Sequence, residues 1–412
     1  MNLAVVSVSA LALAIVLSCV TQINVGIVSI ALAWIIGVYL GGMQAKQVAA
    51  GFPVDLFLTL SGVTLLFAQA QVNGTLDRMT RHAVRMCRGN AGVLPVMFFL
   101  LGAGLASIGP GNIATAALLA PAAMATAERM RIPVFLMAIM VGNGANAGSL
   151  SPFAPTGIIV NGLMERIGLQ GVALTNWGSN FAAHATVAFA GYLLFGGIGQ
   201  LRRKDAGGMR EEATSPFERQ HWITMTVIVA LVLGVLVWKM NIGMAAFAGA
   251  AILALTRASN DAEAIRKMPW NTLVMVSGVT VLIGILEKTQ GIELFASLMA
   301  RVSTPASVTA VVAFLTGVVS VYSSTSGVVL PAFLPAIPSL IEKLGGGSAL
   351  AVASAMNIGG HLVDVSPLST IGALCLAGVA DGAESKALFY KLLAWGLSMC
   401  LVGAAFSWVF FR

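Results

Sequence analysis

Residues 150–157, LSPFAPTG, and residues 365–372, VSPLSTIG, interrupt two apolar stretches that are each long enough to cross a lipid bilayer. A helix does not run unbroken through Ser-Pro followed by small polar residues and glycine, so backbone N–H and C=O groups lose their partners there. In hydrocarbon such groups are too costly unless they line a cavity. The two stretches therefore predict two discontinuous membrane helices whose openings face a polar interior.

The composition is that of an all-α polytopic membrane protein. Of the 412 residues, 58% are hydrophobic and 9% are charged, and apolar runs of about 17 to 25 residues, the length that spans the hydrocarbon core, recur along the chain. The first run, residues 3–20, lacks the basic region and the cleavage site of a signal peptide, so we expect it to be the first span. Membrane orientation explains the net charge of +7, and we expect no nucleic-acid partner.

Apolar runs and polar gaps predict about ten transmembrane helices, two of them discontinuous, and two re-entrant hairpins. A polar linker, residues 201–221, separates two halves that contain the same elements in the same order. The first half, residues 1–200, is predicted to contain scaffold spans in 1–72, an interfacial basic helix at 76–90, a re-entrant hairpin at 91–127, a broken helix at 133–165 and a span at 178–199. The second half, residues 222–412, is predicted to contain scaffold spans in 222–287, a re-entrant hairpin at 305–341, a broken helix at 348–379 and a span at 387–411.

Lys and Arg residues are distributed unequally between the two sides that these spans define. The positive-inside rule places the richer side in the cytoplasm, so both termini are expected outside a bacterial inner membrane. The first hairpin then opens to the cytoplasm and the second to the outside. Two halves with the same order and opposite orientation form an inverted-topology repeat, the arrangement of many secondary transporters.

The two hairpin tips carry the polar residues of their segments. Residues 109–115, GPGNIAT, and residues 323–327, SSTSG, each precede a helical run. The first-turn N–H groups of a helix lack partners and carry partial positive charge, so a carboxylate or another oxyanion suits them. The carbonyl ends of the first half-helices, near Asn143, Asn146 and Asn357, suit a cation instead. An anion site beside a cation site is what a symporter requires.

Asp364 is the acidic residue predicted near the membrane midplane, where an ionisable group indicates function. It could ligate Na+, carry a coupling proton, or cap the second half of the broken helix. His361, one turn earlier, could pair with Asp364, titrate, or contact a substrate carboxylate. His184 is expected to donate a hydrogen bond between helices. Neither tip carries Lys or Arg, so a dianion would need either many dipoles or bound cations, and Na+ would help to neutralise it.

The first tip, GNIATAA at residues 111–117 followed by Pro121, resembles the SNTATAA hairpin signature of the divalent anion:sodium symporters of the ion transporter superfamily. Residues 323–326, SSTS, resemble its second copy. The whole chain resembles MatC-type dicarboxylate carriers more closely still. This resemblance implies a homodimer with a static scaffold and an elevator-type transport domain. It also implies that Asn112, Ser324 and Thr325, with the loops near Ser151 and Ser366, bind substrate and Na+.

These arguments yield two sets of candidate site residues. The substrate-binding candidates are Asn112, Thr115, Ser151, Pro152, Thr156, Ser324, Thr325, Ser366, Pro367, Thr370 and His361. The cation-binding candidates, with Na+ as the expected metal, are Gly111, Asn112, Asn143, Asn146, Ser323, Ser324, Asn357 and Asp364.

The function that we expect is import of a small dicarboxylate, such as malonate or a C4-dicarboxylate, coupled to Na+ or to H+. A Na+/H+ antiporter centred on Asp364 and His361, and an arsenite or oxyanion permease, are alternatives within the same superfamily. An enzyme is a poor fit because the sequence has no metalloprotease, nucleophile-elbow or phosphate-loop motif. We expect no cofactor other than the coupling ion, and the expected partners are the anion, that ion and the lipid bilayer.

Overall fold

The computed structural model describes residues 2–21, 23–86, 90–202, 216–379 and 383–411, and within these ranges the chain is helical without strands. The helices of the first half are α1 (Leu3–Val20), α2 (Val25–Trp34), α3 (Ala45–Ala49), α4 (Val54–Val72), α5 (Thr75–Met86), α6 (Val93–Ile108), α7 (Gly111–Met130), α8 (Val134–Gly148), α9 (Pro155–Arg166), α10 (Ala173–Leu194) and α11 (Gly197–Arg202). The helices of the second half are α12 (Arg219–Trp238), α13 (Ile242–Leu255), α14 (Asp261–Lys267), α15 (Trp270–Lys288), α16 (Gly291–Arg301), α17 (Val308–Ser320), α18 (Leu330–Phe333), α19 (Ile337–Leu344), α20 (Ala349–Leu362), α21 (Thr370–Ala377) and α22 (Ala383–Phe410).

Four short helical segments are wider or tighter than an α-helix. The π-helical segments are Ile35–Leu40, which continues α2, and Thr325–Val329, which precedes α18. The 3₁₀ segments are Leu334–Ala336 and Val363–Val365. Two of these four segments adjoin the predicted second tip and second break, where wide or tight turns often mark functional positions.

Seven helical segments of the described ranges are long and apolar enough to cross a membrane, and the chain is an integral membrane protein. Six of them fall on predicted spans, and the seventh, Thr325–Leu344, is the second arm of the predicted hairpin 305–341. The six on predicted spans are Leu3–Val20, Val54–Val72, Arg219–Trp238, Trp270–Lys288, Glu384–Phe410 and Ala349–Ala377, the last of which covers the second broken helix. Helix α10 is long enough but carries buried Asn and His residues, which lower its hydropathy.

Several boundaries differ from the sequence prediction. Helix α10 covers Ala173–Leu194 instead of 178–199, because the chain turns at Gly196, whose φ is 91°. The basic helix ends at Met86 within the described residues, and residues 87–89 lie outside them, as do residues 203–215 of the predicted linker. The broken helices restart at Pro155 and Thr370.

The two halves contain matching helix crossings. The sequence Ser-Gly-Val-Thr occurs at residues 61–64 of α4 and again at residues 277–280 of α15. Gly62 packs against the backbone of Gly243 on α13, and Gly278 packs against the backbone of Gly26 on α2. A Cβ atom at either Gly62 or Gly278 would lie within 3.0 Å of that backbone, so only glycine permits the close approach.

The hairpins and broken helices show the same correspondence. Helix α6 packs on α8, and α17 packs on α20. Gly144 of α8 lies against the backbone of Phe99, and Gly359 of α20 lies against the backbone of Ala313. Helix α8, which ends at the first break, is buried along its whole length. The first break therefore begins inside the core.

Candidate functional site

The first hairpin tip is a turn between α6 and α7 that requires glycine. Gly109 has a φ of 141° and Gly111 a φ of 78°, values that side chains other than glycine rarely adopt. Asn112 follows in the first turn of α7 and is 8% exposed. Its Nδ2 donates to Oδ1 of Asn146, near the end of α8, over 2.8 Å. The tip is therefore bonded to the first broken helix.

The second hairpin tip is bonded to the second break in a similar way. The Ser324 hydroxyl caps the helix by accepting from the N–H of Gly327 over 3.1 Å. The Thr325 hydroxyl lies 2.9 Å from Oδ1 of Asp364 and 3.3 Å from the carbonyl oxygen of Gly360. Ser323 hydrogen-bonds the hydroxyl of Ser18, in the last turn of α1, over 2.8 Å. The second tip thus contacts α1, a predicted scaffold span, as well as α20.

The two breaks have nearly the same local geometry. The Ser151 hydroxyl accepts from the N–H two residues later, and so does the Ser366 hydroxyl, each over 3.3 Å. Ser151 also donates to the carbonyl oxygen of Ser107 in the first hairpin over 2.6 Å. Pro152 and Pro367 lie inside the connecting turns and not at the restarting helices. Both serines therefore satisfy opened backbone, which is a structural use of their hydroxyls.

A cavity of about 440 Å³ joins the two tips to the second break. Seven of the candidate residues line it: Asn112, Ser323, Ser324, Thr325, His361, Asp364 and Thr370. Most of its other polar groups are hydroxyls, and its described lining contains no Lys or Arg. Asp364 supplies the carboxyl group of this lining. The cavity therefore offers neutral donors and one acidic group to a ligand.

The remaining candidates do not line this cavity. Thr115 is fully buried and its hydroxyl has no partner. Pro152 lines a different cavity, of about 820 Å³, between the starts of α4 and α13 and the length of α9. The candidates that lie in the surrounding framework are Gly111, Ser151, Thr156, Ser366, Pro367, Asn143, Asn146 and Asn357.

The three buried asparagines of the predicted cation site are bonded to protein. Asn143 donates to the carbonyl oxygen of Ile139, and its Oδ1 accepts from Nδ1 of His184 over 2.9 Å. Asn146 Oδ1 accepts from the first tip, as described. Asn357 Nδ2 donates to Oδ1 of Asn176 over 2.8 Å, whereas its own Oδ1 has no partner. The amide oxygens of Asn143 and Asn146 are thus occupied.

His361 is bonded within its own helix. Its Nδ1 donates to the carbonyl oxygen of Asn357 over 2.7 Å, and its Nε2, which has no partner, belongs to a side chain that lines the cavity. Asp364 Oδ1 instead accepts a hydrogen bond from the hydroxyl of Thr325. Pairing between His361 and Asp364, one of the alternatives from the sequence, is not the arrangement found.

Sequence reasoning missed the part of the site that comes from α1 and α15, two of the predicted scaffold spans. Ser18, Cys19 and Thr21 at the end of α1 line the cavity, together with Asn271 at the start of α15. Asn24 donates to Oδ1 of Asn271 over 2.7 Å. The sequence did contain a signal here. An Asn precedes each of the corresponding helices α2 and α13, and these residues, Asn24 and Asn241, cap the two helices.

Comparison with known proteins shows what the chain is similar to. Residues 1–149 match the family model described as dicarboxylate carrier protein MatC N-terminus. An uncharacterized transporter of Mycobacterium tuberculosis is 22% identical over 386 residues, which are 87% of this chain and 86% of that protein. An uncharacterized transporter of Mycobacterium bovis gives the same values.

Two solved structures share the fold. MtrF of Neisseria gonorrhoeae, from a class of antimetabolite efflux pumps, matches with a TM-score of 0.60 and 14% identity over 92% of this chain and 84% of its own. The YdaH transporter of Alcanivorax borkumensis matches with a TM-score of 0.56 and 14% identity over 90% of this chain and 87% of its own. These relatives are transporters and not enzymes. Residues 1–149 thus match the MatC-type dicarboxylate carrier family that the chain resembles, and about nine tenths of the chain shares its fold with these membrane transporters.

Proposed function

We propose that the protein is a secondary active transporter that imports a small dicarboxylate, such as malonate or a C4-dicarboxylate, together with Na+ or H+. The observation that carries this proposal is the cavity of about 440 Å³ where both hairpin tips meet the second break. The match of residues 1–149 to the MatC family favours a dicarboxylate as the anion.

The lining chemistry supports coupling to a cation. A dicarboxylate can accept hydrogen bonds from Asn112 and from the hydroxyls of the second tip, and helix N-termini add partial positive charge. The described lining holds no Lys or Arg and one carboxyl group, on Asp364. A dianion beside a carboxylate is repelled unless a cation lies between them. Asp364 and Thr325 are therefore the groups that we propose for the cation.

The matched crossings support two repeats of inverted topology. Gly62 and Gly278 occupy equivalent places in α4 and α15, and Gly144 and Gly359 do so in α8 and α20. Together with the opposite orientations expected from the charges, these pairs favour re-entrant hairpins that approach from opposite sides. Movement of the hairpins and broken helices against the scaffold, as an elevator in each subunit of a homodimer, follows from the resemblance to the symporter family.

The proposed orientation places both termini outside the bacterial inner membrane. The end of α1 and the start of α15 then face the cytoplasm, so the cavity opens inward. The cavity of about 820 Å³ near Pro152, with Asp55 and Arg166 in its lining, lies on the opposite side.

Uptake into proteoliposomes tests the proposal. Purified protein is reconstituted, and labelled malonate or succinate is supplied with an inward Na+ gradient, with an inward proton gradient, or with neither. With at least one gradient, we expect the concentration of labelled substrate inside the proteoliposomes to rise above the concentration outside. The same experiment with Asn112→Ala is expected to give no uptake, and Thr126→Ala, at the exposed far end of α7, serves as the matched control.

Two outcomes would favour the alternative functions. Na+-driven proton movement without an organic anion would indicate a Na+/H+ antiporter, for which Asp364 and His361 of the lining provide titratable groups. Uptake of arsenite or another oxyanion without any dicarboxylate would indicate an oxyanion permease, for which a lining without basic residues suffices. Failure of all dicarboxylates under every gradient contradicts the proposal.

A further inference from the structure

Helix α10 contacts both broken helices through three buried polar side chains. Asn176, Asn180 and His184 are spaced four residues apart, so they lie on one face of the helix. Each is at most 1% exposed. The face that they form, here called the α10 polar face, packs against α8 and α20.

Each residue of the α10 polar face makes one hydrogen bond to a broken helix. Asn180 donates to the carbonyl oxygen of Asn146 over 2.8 Å. Asn176 accepts from Asn357 over 2.8 Å, and His184 bonds the amide oxygen of Asn143 over 2.9 Å. Two of these bonds reach α8 and one reaches α20.

The partners of the α10 polar face in turn hold two residues of the cavity. Asn146 accepts from Asn112 over 2.8 Å and lies 3.5 Å from the carbonyl oxygen of His361. The carbonyl oxygen of Asn357 accepts from Nδ1 of His361 over 2.7 Å. Asn112 and His361, which both line the cavity, are therefore each one asparagine away from α10.

The cost of this arrangement argues against a merely structural role. Asn176 Nδ2, Asn180 Oδ1 and His184 Nε2 are buried without a partner. An unpaired buried polar atom costs about 1–3 kcal/mol, whereas apolar residues of similar shape at both partners would avoid that cost. Side chains that lower stability in this way fit a role in holding other residues at fixed positions.

The hydrogen bonds of Thr325, on the other side of the cavity, do not involve α10. Thr325 bonds Asp364 and the backbone of Gly360 directly. We propose that Asn176 and Asn180 are positioning residues for the anion. Asn180 acts through Asn146 on Asn112, and Asn176 acts through Asn357 on His361. Neither affects the cation groups Asp364 and Thr325. This inference rests on the proposed function and divides the cavity into an anion side, held by α10, and a cation side, centred on Asp364 and Thr325.

The test is a kinetic separation in proteoliposomes. Asn180→Leu and Asn176→Leu remove the polar groups but keep the branching and the number of heavy atoms of the side chain, and Thr186→Val removes an exposed hydroxyl from the same helix as a matched control. For the two Leu variants we expect the half-saturating concentration of labelled malonate or succinate to rise about five- to tenfold. The half-saturating Na+ or H+ concentration should stay within about twofold of the wild-type value, the usual limit for independent sites.

A double-mutant comparison identifies the route. If Asn180 acts through Asn112, then Asn112→Ser combined with Asn180→Leu should raise half-saturation less than the product of the single effects. If Asn180→Leu does not give a monodisperse protein, Asn180→Ser replaces it in every measurement. Equal shifts in anion and cation half-saturation, unchanged anion half-saturation, or fully multiplicative effects would each overturn the positioning role. Absence of uptake by the wild-type protein would instead overturn the proposed function, and the positioning role with it.

Discussion

The hydroxyl of Thr325 lies 2.9 Å from Oδ1 of Asp364, and this hydrogen bond joins the second hairpin tip to the second broken helix. The first half has Ser149 at the place of Asp364, and its hydroxyl donates to the backbone of Asn146 instead. The two halves share a layout, but only the second break of the described chain places a carboxyl group in the cavity. The site is therefore asymmetric in charge although its framework repeats.

Replacing Thr325 by Val should weaken cation dependence. The change removes the donor that orients the Asp364 carboxylate at nearly constant volume, and a hydrogen bond to a charged group is worth about 1.5–3 kcal/mol. We expect the half-saturating Na+ concentration for uptake to rise about tenfold or more. Thr316→Val is the matched control, because the buried Thr316 hydroxyl bonds only the backbone of its own helix α17. Equal Na+ dependence in both variants would contradict the assignment.

Replacing Asp364 by Asn should change ion dependence more than anion preference. Asparagine keeps the shape and the acceptor for Thr325 but removes the charge that balances a bound cation. Uptake of a panel of mono-, di- and tricarboxylates, measured across Na+ concentration and pH, should keep its order of preference and lose its Na+ or pH response. Asp55→Asn, at an exposed acidic residue near the start of α4, should leave both unchanged. An unaltered Na+ and pH response in Asp364→Asn would count against the coupling role.

Cys19 should report access to the cavity. Its thiol belongs to the lining, whereas Cys375 and Cys400 are buried. Treatment with N-ethylmaleimide should reduce uptake, and malonate or succinate present during treatment should slow the loss. The variant Cys19→Ala should resist the reagent. Inhibition of that variant to the wild-type extent would show that another thiol is responsible.

Replacing Gly278 or Gly62 by Ala should destabilise the protein. The added methyl group would meet the backbone of Gly26 or Gly243 within 3.0 Å, and overpacking of this kind costs about 1–3 kcal/mol. Thermal unfolding in detergent should begin at lower temperature for both variants. Gly104→Ala and Gly178→Ala are the controls, because nothing lies within 4 Å of a Cβ atom at either position. Wild-type stability of Gly278→Ala would mean that this crossing is wider than described.

The sequence predicts the helical architecture well where the signal is local. Prolines and glycines at residues 150–157 and 365–372 indicated both breaks, and these are found between α8 and α9 and between α20 and α21. The glycine turn at residues 109–111 indicated the first tip. Membrane character followed from composition, and the helices long enough to span agree with most of the predicted spans.

Contacts between residues that are far apart in the sequence could not be predicted from local patterns. Asn143 and Asn146 were predicted as cation ligands because they lie near half-helix ends, but their amide oxygens accept from His184 and Asn112. The contribution of Ser18 and Cys19 to the cavity depends on how α1 packs against the second tip, which no local pattern indicates. The repeated Ser-Gly-Val-Thr of α4 and α15 was a readable signal of the repeat, and the asparagines of α10 lowered its hydropathy without revealing their partners.

The backbone contacts at Gly26, Gly62, Gly243 and Gly278 also provide landmarks for comparing distant proteins. A homologue that carries a larger residue at one of these positions must hold the corresponding helices farther apart, since the side chain has no space between two touching main chains. When overall identity is too low to align sequences with certainty, these four positions fix the register of α2 with α15 and of α4 with α13. They mark where a substitution in one half requires a compensating change in its neighbour.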